Sequence, residues 1–290
     1  MTERVWGLLE LLSETTRYLT GKGFRQARLD AELLLADVLG LKRLDLYLQF
    51  ERQLTAAEVD AYREHIRRRL RREPVQQITG KAAFRELTLA VTADVLVPRP
   101  ETEILVQAVL ELLPPEAPGP VLDVGCGSGA VALSLASERP GLRVVATDLS
   151  AAALRVARGN ARALELGTRL TFVRGDLLEP WRPDGAGFAA VVSNPPYIPS
   201  AAIADLEPEV RDWEPHLALD GGADGLTVVR RLAAAAGPLL APGGVLCLEI
   251  GDGQTAAVTE LLSAAGPFTE VTPRRDLAGV WRIITARRGH

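Results

Sequence analysis

The sequence predicts an α/β fold, a sheet with helices on both faces, behind an N-terminal helical region. Three observations carry this. From residue 121 onward, apolar strand-like runs alternate with helical patterns. Residues 1 to 74 instead repeat apolar residues at helical spacing. The last two strand-like runs are joined by a loop too short for a helical crossover, so they must pair antiparallel.

In the N-terminal part, Leu8, Leu9, Leu11 and Leu12 give a first apolar stripe. Ala27 to Leu39 repeats Leu29, Leu33, Leu34 and Val38 at helical spacing and stops at Gly40. Thr55 and Glu58 form a capping-box pattern, which opens a helix carrying Val59, Tyr62, Ile66 and Leu70. Pro74 ends that pattern. The basic cluster Arg67-Arg68-Arg69 and Arg71-Arg72 reads either as a solvated helix face or as an electrostatic dock for an acidic protein or RNA.

Residues 75–98 change character and read as a connector. Glu86 to Val91 alternates, with Leu87, Leu89 and Val91 on one side, which predicts a hairpin strand. Pro98 and Pro100 bracket Arg99, and Pro100 suits the first turn of a helix running through Leu113. Pro114, Pro115, Pro118 and Pro120 then form a loop. The expected division is a helical domain at 1–74, a β-hairpin connector at 75–98 and an α/β domain at 99–290.

Seven strands are expected in that α/β domain, at 121–125, 143–148, 170–176, 188–194, 245–251, 268–273 and 281–288. Helical patterns fill 130–138, 151–166, 224–240 and 254–265. The composition agrees with a globular chain: 290 residues, 47% apolar and 24% charged, ample for a buried core. The formal charge of −4 gives no global preference for nucleic acid or an anionic membrane. Up to residue 75 there are 14 Lys/Arg against 12 Asp/Glu, and beyond it 19 against 25, so the two parts differ mildly. The two cysteines, Cys126 and Cys247, sit in separate buried-type segments without metal-ligand spacing. No metal site is expected, and a reduced, cytoplasmic setting fits better than a disulfide framework. The N-terminus lacks a signal-peptide pattern, and no apolar run is long enough to span a bilayer.

Gly125, Gly127 and Gly129 follow the first strand of the α/β domain and precede a helix, with Cys126 and Ser128 between them. Such a loop lets the backbone turn tightly and approach a ligand. Alone it fits a dinucleotide, S-adenosylmethionine, or a merely tight turn. Asp148 ends the next strand about twenty residues on, where an acid can accept both ribose hydroxyls of an adenosyl group. The alternative is a role at the N-terminus of the following helix, more serious for Ser150 than for Asp148. Asp176 ends the third strand, where an acid would reach an adenine amino group, and Leu177 could offer its backbone N–H to the ring. Ordinary loop chemistry is the alternative for both.

Asn194-Pro195-Pro196-Tyr197 stands at the end of the fourth strand. Two prolines cannot continue a central strand. They fix an extended backbone with free carbonyls and no N–H, and the asparagine adds another acceptor. A rigid array of acceptors suits an –NH₂ group, whose lone pair it can turn toward a methyl sulfonium. Tyr197 can stack on a flat amide or base. Methyl transfer is an in-line displacement, so positioning supplies much of the barrier reduction.

These residues resemble the glutamine-N5 methyltransferases that modify peptide chain release factors. The resemblance covers nearly the whole chain. It includes Asp30-Ala31-Glu32-Leu33-Leu34, Gln77-Ile78-Thr79-Gly80, Val97-Pro98-Arg99-Pro100-Glu101-Thr102-Glu103, Asp123 to Gly129 and Ser193 to Tyr197. Glu214-Pro215, Ala218-Leu219, Gly221-Gly222, Asp224-Gly225, Glu249, Gly251, Gln254, Asp276 to Gly279 and Arg282 also fit. The resemblance implies a helical domain joined by a β-hairpin to a seven-stranded, Rossmann-like methyltransferase domain. It implies that Gly125–Gly129, Asp148 and Leu177 contact S-adenosylmethionine, which leaves as S-adenosylhomocysteine. It implies that Asn194–Tyr197 holds a glutamine in a Gly-Gly-Gln loop of the release factor. Cys126 stands where threonine is common, Gln77 where tyrosine is frequent, Trp281 where a polar residue is usual, and Leu177 where some relatives are bulkier.

The rival readings are narrower. A sister family methylates a glutamine of a large-subunit ribosomal protein with the same Asn-Pro-Pro-Tyr loop; residues 98–103 favour the release-factor branch. An adenine-N6 methyltransferase would need a basic groove or target-reading domain. A dehydrogenase would carry its third glycine one residue later and have no use for Asn194–Tyr197. A silent binding module is at odds with intact Asn194, Asp148 and loop glycines. A monomer acting on a protein substrate, with no direct nucleic-acid or membrane partner, is expected.

Overall fold

A computed structural model describes residues 5–114, 116, 119–183 and 187–289. Pro115 and Pro118 of the expected proline loop lie outside the described residues. The chain forms two compact units: one runs to Gly80 and includes Pro208–Trp213, and the other holds Lys81–Glu207 and Glu214 onward.

The first unit contains β1 (Trp6–Gly7), α1 (Leu8–Gly21), α2 (Ala27–Leu39), α3 (Asp45–Leu48), β2 (Gln53–Leu54), α4 (Ala56–Leu70) and α5 (Val75–Thr79). Helix α2 ends where the sequence predicts, at Gly40 in the left-handed region. Helix α4 opens on the predicted capping box between Thr55 and Glu58. Leu8, Leu12, Leu34, Leu35, Tyr62 and Ile66 meet in one apolar core. That core takes in Val75 and Ile78, so the unit extends through α5, which Gly80 ends at φ 71°.

The arginine cluster is divided: Arg67 and Arg71 are exposed, whereas Arg68, Arg69 and Arg72 are drawn against acids. Arg69 is 8% exposed and binds Asp30 at 2.8 Å and Glu209 at 3.0 Å. Arg72 reaches Glu209 at 3.3 Å, and the guanidinium groups of both sit over Phe24. Arg68 is held by Glu73 at 2.9 Å. Asp30 and Glu209, distant in sequence, take up the charge of Arg69 and Arg72, and charge-run patterning cannot reveal them. Gln77 and Trp213 complete the anchoring: Gln77 Nε2 donates to the Trp213 carbonyl and Trp213 Nε1 to the Arg71 carbonyl.

The second unit contains β3 (Lys81–Phe84), β4 (Leu87–Ala90), α6 (Thr102–Leu112), β5 (Val121–Val124), α7 (Ala130–Glu138), β6 (Val144–Asp148), α8 (Ala151–Ala163), β7 (Leu170–Arg174) and β8 (Phe188–Ser193). After α9 (Pro208–Arg211), which belongs to the first unit, come α10 (Thr227–Leu239), β9 (Leu240–Glu249), α11 (Thr255–Ala264), β10 (Phe268–Arg275) and β11 (Trp281–Arg288). The seven-stranded sheet has the order β10-β11-β9-β8-β5-β6-β7. Strands β9, β8, β5, β6 and β7 run parallel, and β11 pairs antiparallel with both β9 and β10. The predicted terminal hairpin is therefore present.

Strand alternation sorts the core onto two faces. Val121, Ala190, Val192, Val245, Cys247 and Ile283 pack on one side with α6 and α7. Leu122, Val124, Val191, Leu246, Leu248 and Ile284 pack on the other with α10 and α11. Chain order reverses between β5 and β8, which opens a crevice at the carboxyl ends of these strands. The β3–β4 hairpin forms in register from Lys81↔Ala90 to Phe84↔Leu87. Ala82, Val91, Val95 and Val97 pack against Ala153 of α8. No described helix is long and apolar enough to cross a membrane, and no group of potential metal ligands occurs among the described residues.

Candidate active site

The crevice holds a cavity of about 530 Å³, within the range of small-molecule sites. Its walls come from the glycine loop, the ends of β6 and β7, the start of the Asn194 loop, and two straps at Ala93–Arg99 and Pro215–Ala218. Gly125, Cys126, Gly127, Ser128, Asp148, Asp176, Leu177, Asn194 and Pro196 all line it. The structure thus brings together most of the residues selected from sequence.

The glycine loop is shaped by its backbone. Gly125 and Cys126 both donate to the Thr147 carbonyl, at 2.8 and 3.0 Å. Gly125 and Gly127 have φ of 73° and 54°, and a Cβ on either would meet nothing within 4 Å among the described residues. Their lack of side chains therefore leaves space for a ligand. Gly129 differs: a Cβ there would press on Leu133 and Ala157, so it serves helix packing and does not line the cavity. Cys126 is buried, and burial raises its thiol pKa well above the usual value, so it is an inert apolar group here.

Asp148 takes the helix-terminus role that the sequence left open and also braces the glycine loop. Its Oδ2 accepts the Gly127 N–H at 2.9 Å and its Oδ1 the Ser150 N–H at 2.8 Å. Ser150 separately caps α8 by accepting from Ala153 N. Each Asp148 oxygen keeps a lone pair for a ligand hydroxyl. Burial raises the carboxyl pKa, opposed by these backbone hydrogen bonds.

Asp176 lies two residues beyond β7, and Arg231 binds it at 2.8 Å. Arg231 also lines the cavity, a neighbour 55 positions away that no local pattern announces. Leu177 has φ 48°, a strained conformation for a branched side chain. Its N–H has no acceptor among the described residues.

In the sequence Asp123 stands within an apolar strand at the start of the glycine loop. It is 1% exposed, lines the cavity, and accepts the Ala132 N–H at 3.0 Å. Burial pushes its carboxyl up to about 7. An acid in an otherwise unbroken apolar run was the available signal.

In the Asn194 loop, Asn194 and Pro196 face the cavity, while Pro195 is buried and neither it nor Tyr197 lines the wall. Asn194 Nδ2 donates to Thr102 Oγ1 at 3.0 Å, and Thr102 donates to Glu249 Oε2 at 2.7 Å. The Tyr197 hydroxyl points at Glu249 Oε1 at 3.4 Å, and Gln254 Nε2 donates to the Tyr197 carbonyl at 2.9 Å. Burial pushes the Glu249 carboxyl up to about 7. In the sequence, Thr102, Glu249 and Gln254 stand out only through the family resemblance. Arg99 pairs with buried Glu214, which also accepts the Val97 N–H at 3.1 Å, so the two straps are pinned together.

A sheet of this order with a cavity of this lining defines an S-adenosylmethionine-dependent methyltransferase. The catalytic domain of hMettl16, solved with a MAT2A 3′UTR hairpin, shares the fold over 68% of this chain and 74% of its own, with TM-score 0.55 at 16% identity. A methyltransferase from Pyrococcus furiosus does so over 70% and 89%, with TM-score 0.50 at 19% identity. The methyltransferase small domain family model matches residues 101–206, and the PrmC N-terminal domain model matches residues 10–80. The release factor glutamine methyltransferase of Moorella thermoacetica is 45% identical over 97% of this chain and 98% of its own length. That of Geobacter sulfurreducens is 41% identical over the full length of both. The chain belongs to the release factor glutamine methyltransferase family.

Proposed function

We propose that this chain transfers the methyl group of S-adenosylmethionine to the side-chain amide nitrogen of the glutamine in the Gly-Gly-Gln loop of a peptide chain release factor. The observation that carries the reading is the placement of Asn194 and Pro196 in the same cavity as Asp148, Leu177 and the glycine loop. Acceptor and donor sites then share one space.

The residues present fit the cofactor. The side-chain-less surface at Gly125 and Gly127 leaves room for the methionine and ribose portions. Asp148 has a lone pair on each oxygen for the ribose hydroxyls. The Leu177 N–H has no acceptor among the described residues and suits a ring nitrogen of adenine. Asp176 keeps acceptor capacity beside Arg231 for the adenine amino group. Asp123, buried in β5 just before the loop, suits the methionine ammonium. S-adenosylmethionine, when bound, supplies a methyl group on a sulfonium that a nitrogen lone pair can displace in line.

On the acceptor side, Asn194 Oδ1 and the proline carbonyls take the two hydrogens of the glutamine –NH₂. Gln254 already occupies the Tyr197 carbonyl, so the array is narrowed to those groups. Holding both hydrogens fixes the nitrogen and turns its lone pair out of resonance. Tyr197, outside the cavity wall with its hydroxyl toward Glu249, supports the loop that holds the amide. The surplus proton leaves to water after transfer. The helical unit at the N-terminus reads the protein substrate, and the chain acts as a monomer with no nucleic-acid partner.

The test is transfer of labelled methyl from S-adenosylmethionine to a purified release factor, repeated with the Gly-Gly-Gln glutamine replaced. Label that disappears with the replacement supports the reading. Label that persists, or that appears only on a large-subunit ribosomal protein, overturns the assigned acceptor.

A further inference from the structure

An asparagine carboxamide can present either its oxygen or its –NH₂ to a ligand, and only the oxygen accepts from an incoming amide. What lies behind Asn194 decides which. Thr102 is the first residue of α6 and Glu249 the last of β9; they are 4% and 1% exposed. β9 runs beside β8, with Leu248 registered against Ser193, so Glu249 comes up next to Asn194 as β8 ends.

We propose that Thr102 and Glu249 are positioning residues that lock the Asn194 carboxamide with Oδ1 toward the substrate nitrogen. The inference rests on the reading that Asn194 holds the substrate amide.

A hydroxyl has a single proton. Thr102 gives its proton to Glu249 at 2.7 Å, so only lone pairs face Asn194. Those lone pairs demand the –NH₂ side, and Nδ2 is found there at 3.0 Å. The opposite flip would set Asn194 Oδ1 against Thr102 Oγ1 with no proton between them. It would also turn a donor toward the substrate's donors. Both defects would sit in a buried place where unpaired polar groups are costly. The same carboxylate meets the Tyr197 hydroxyl at 3.4 Å, so one acid stands behind both ends of the motif. Gln254 adds to this by accepting the Gly251 N–H at 2.8 Å while donating to the Tyr197 carbonyl.

The experiment compares Thr102→Val, which keeps the shape and removes the hydroxyl, with Thr102→Ser, which keeps the hydroxyl. Thr102→Ala replaces the valine variant if that does not fold, with the same expectation. Three quantities are read: the S-adenosylmethionine dissociation constant by calorimetry, kcat and KM with a release factor, and hydrogen exchange of the Asn194 side-chain –NH₂ by NMR. In Thr102→Val, kcat falls by about tenfold or more while cofactor affinity stays within about twofold, as expected for lost positioning. Exchange of the Asn194 amide protons accelerates in the same variant, whatever the substrate. Thr102→Ser restores both within about threefold. A valine variant with wild-type kcat and unchanged exchange overturns the proposal, and so does a serine variant as impaired as valine. Asn194→Ala is the separating control. If it remains active, the underlying reading fails and the inference with it. If it is inactive beside a fully active Thr102→Val, only the positioning role fails.

Discussion

Asp148 holds Gly127: the carboxylate at the end of β6 accepts the N–H at the tip of the glycine loop, 2.9 Å away. Its second oxygen takes the Ser150 N–H. The acid proposed to bind ribose thus also shapes the loop on which the rest of the cofactor would lie. Asp148→Ala removes both functions. The dissociation constant for S-adenosylmethionine should rise about 10–100-fold, the worth of one or two hydrogen bonds to a charged group. Calorimetry measures this, and an unchanged constant would reduce Asp148 to a loop and helix cap.

Asn194 sits on the acceptor side of the same cavity, so its loss should separate chemistry from cofactor binding. Asn194→Ala should lower kcat with a release factor by about 10²–10³-fold, the range for removing one preorganised polar contact at a reacting centre. Cofactor affinity should change by less than about threefold. Steady-state kinetics beside calorimetry gives both numbers.

Two buried carboxyls give the fold a pH dependence of definite sign. Burial raises Asp123 and Glu249 to about 7 from ordinary values of 3.8 and 4.5. Between those values the folded state binds more protons than the unfolded one, so stability falls as pH rises. The stabilisation is complete below the unfolded values and is lost on passing through about 7. Tm of the ligand-free protein should therefore drop between pH 5 and pH 8, within the window those shifts define. Asp123→Asn and Glu249→Gln should each flatten that slope in thermal scans.

Arg69 is the structural member of the basic cluster. It is nearly buried against Asp30, Glu209 and Phe24. Arg69→Ala strands two partly buried carboxylates and should destabilise the helical unit by about 3–5 kcal/mol. Arg67, exposed and paired among the described residues only with Glu64 one turn away, should cost less than about 0.5 kcal/mol on the same change. Urea unfolding followed by Trp213 fluorescence distinguishes the two.

Much of this molecule was legible in its sequence because the signals were local. Gly40, the Thr55–Glu58 box and Ser150 mark helix ends through contacts a few residues long. The alternation along β5, β8 and β9 follows from period-two burial. Asp148, Leu177 and Asn194 share one cavity because they lie at or just beyond strand ends, which a parallel α/β sheet gathers along one edge. What was hidden depended on distance along the chain. Thr102 and Glu249 are 147 positions apart yet share a hydrogen bond behind Asn194. Arg69 and Glu209 are 140 apart. Asn160 Nδ2 donates to the Ala90 and Ser128 carbonyls, tying the hairpin to the glycine loop from the last turn of α8. Tyr197 looked like a stacking platform by residue type, and its hydroxyl proves to face the buried Glu249. None of these has a sequence period.

The central claim is that one cavity joins S-adenosylmethionine to a protein glutamine. It is tested most directly by fragmentation mass spectrometry of a release factor incubated with this protein and the cofactor. The account predicts a single added methyl on the side-chain amide nitrogen of the Gly-Gly-Gln glutamine, absent with Asn194→Ala. A methyl on any other residue, or none with wild-type protein that binds the cofactor, would contradict it.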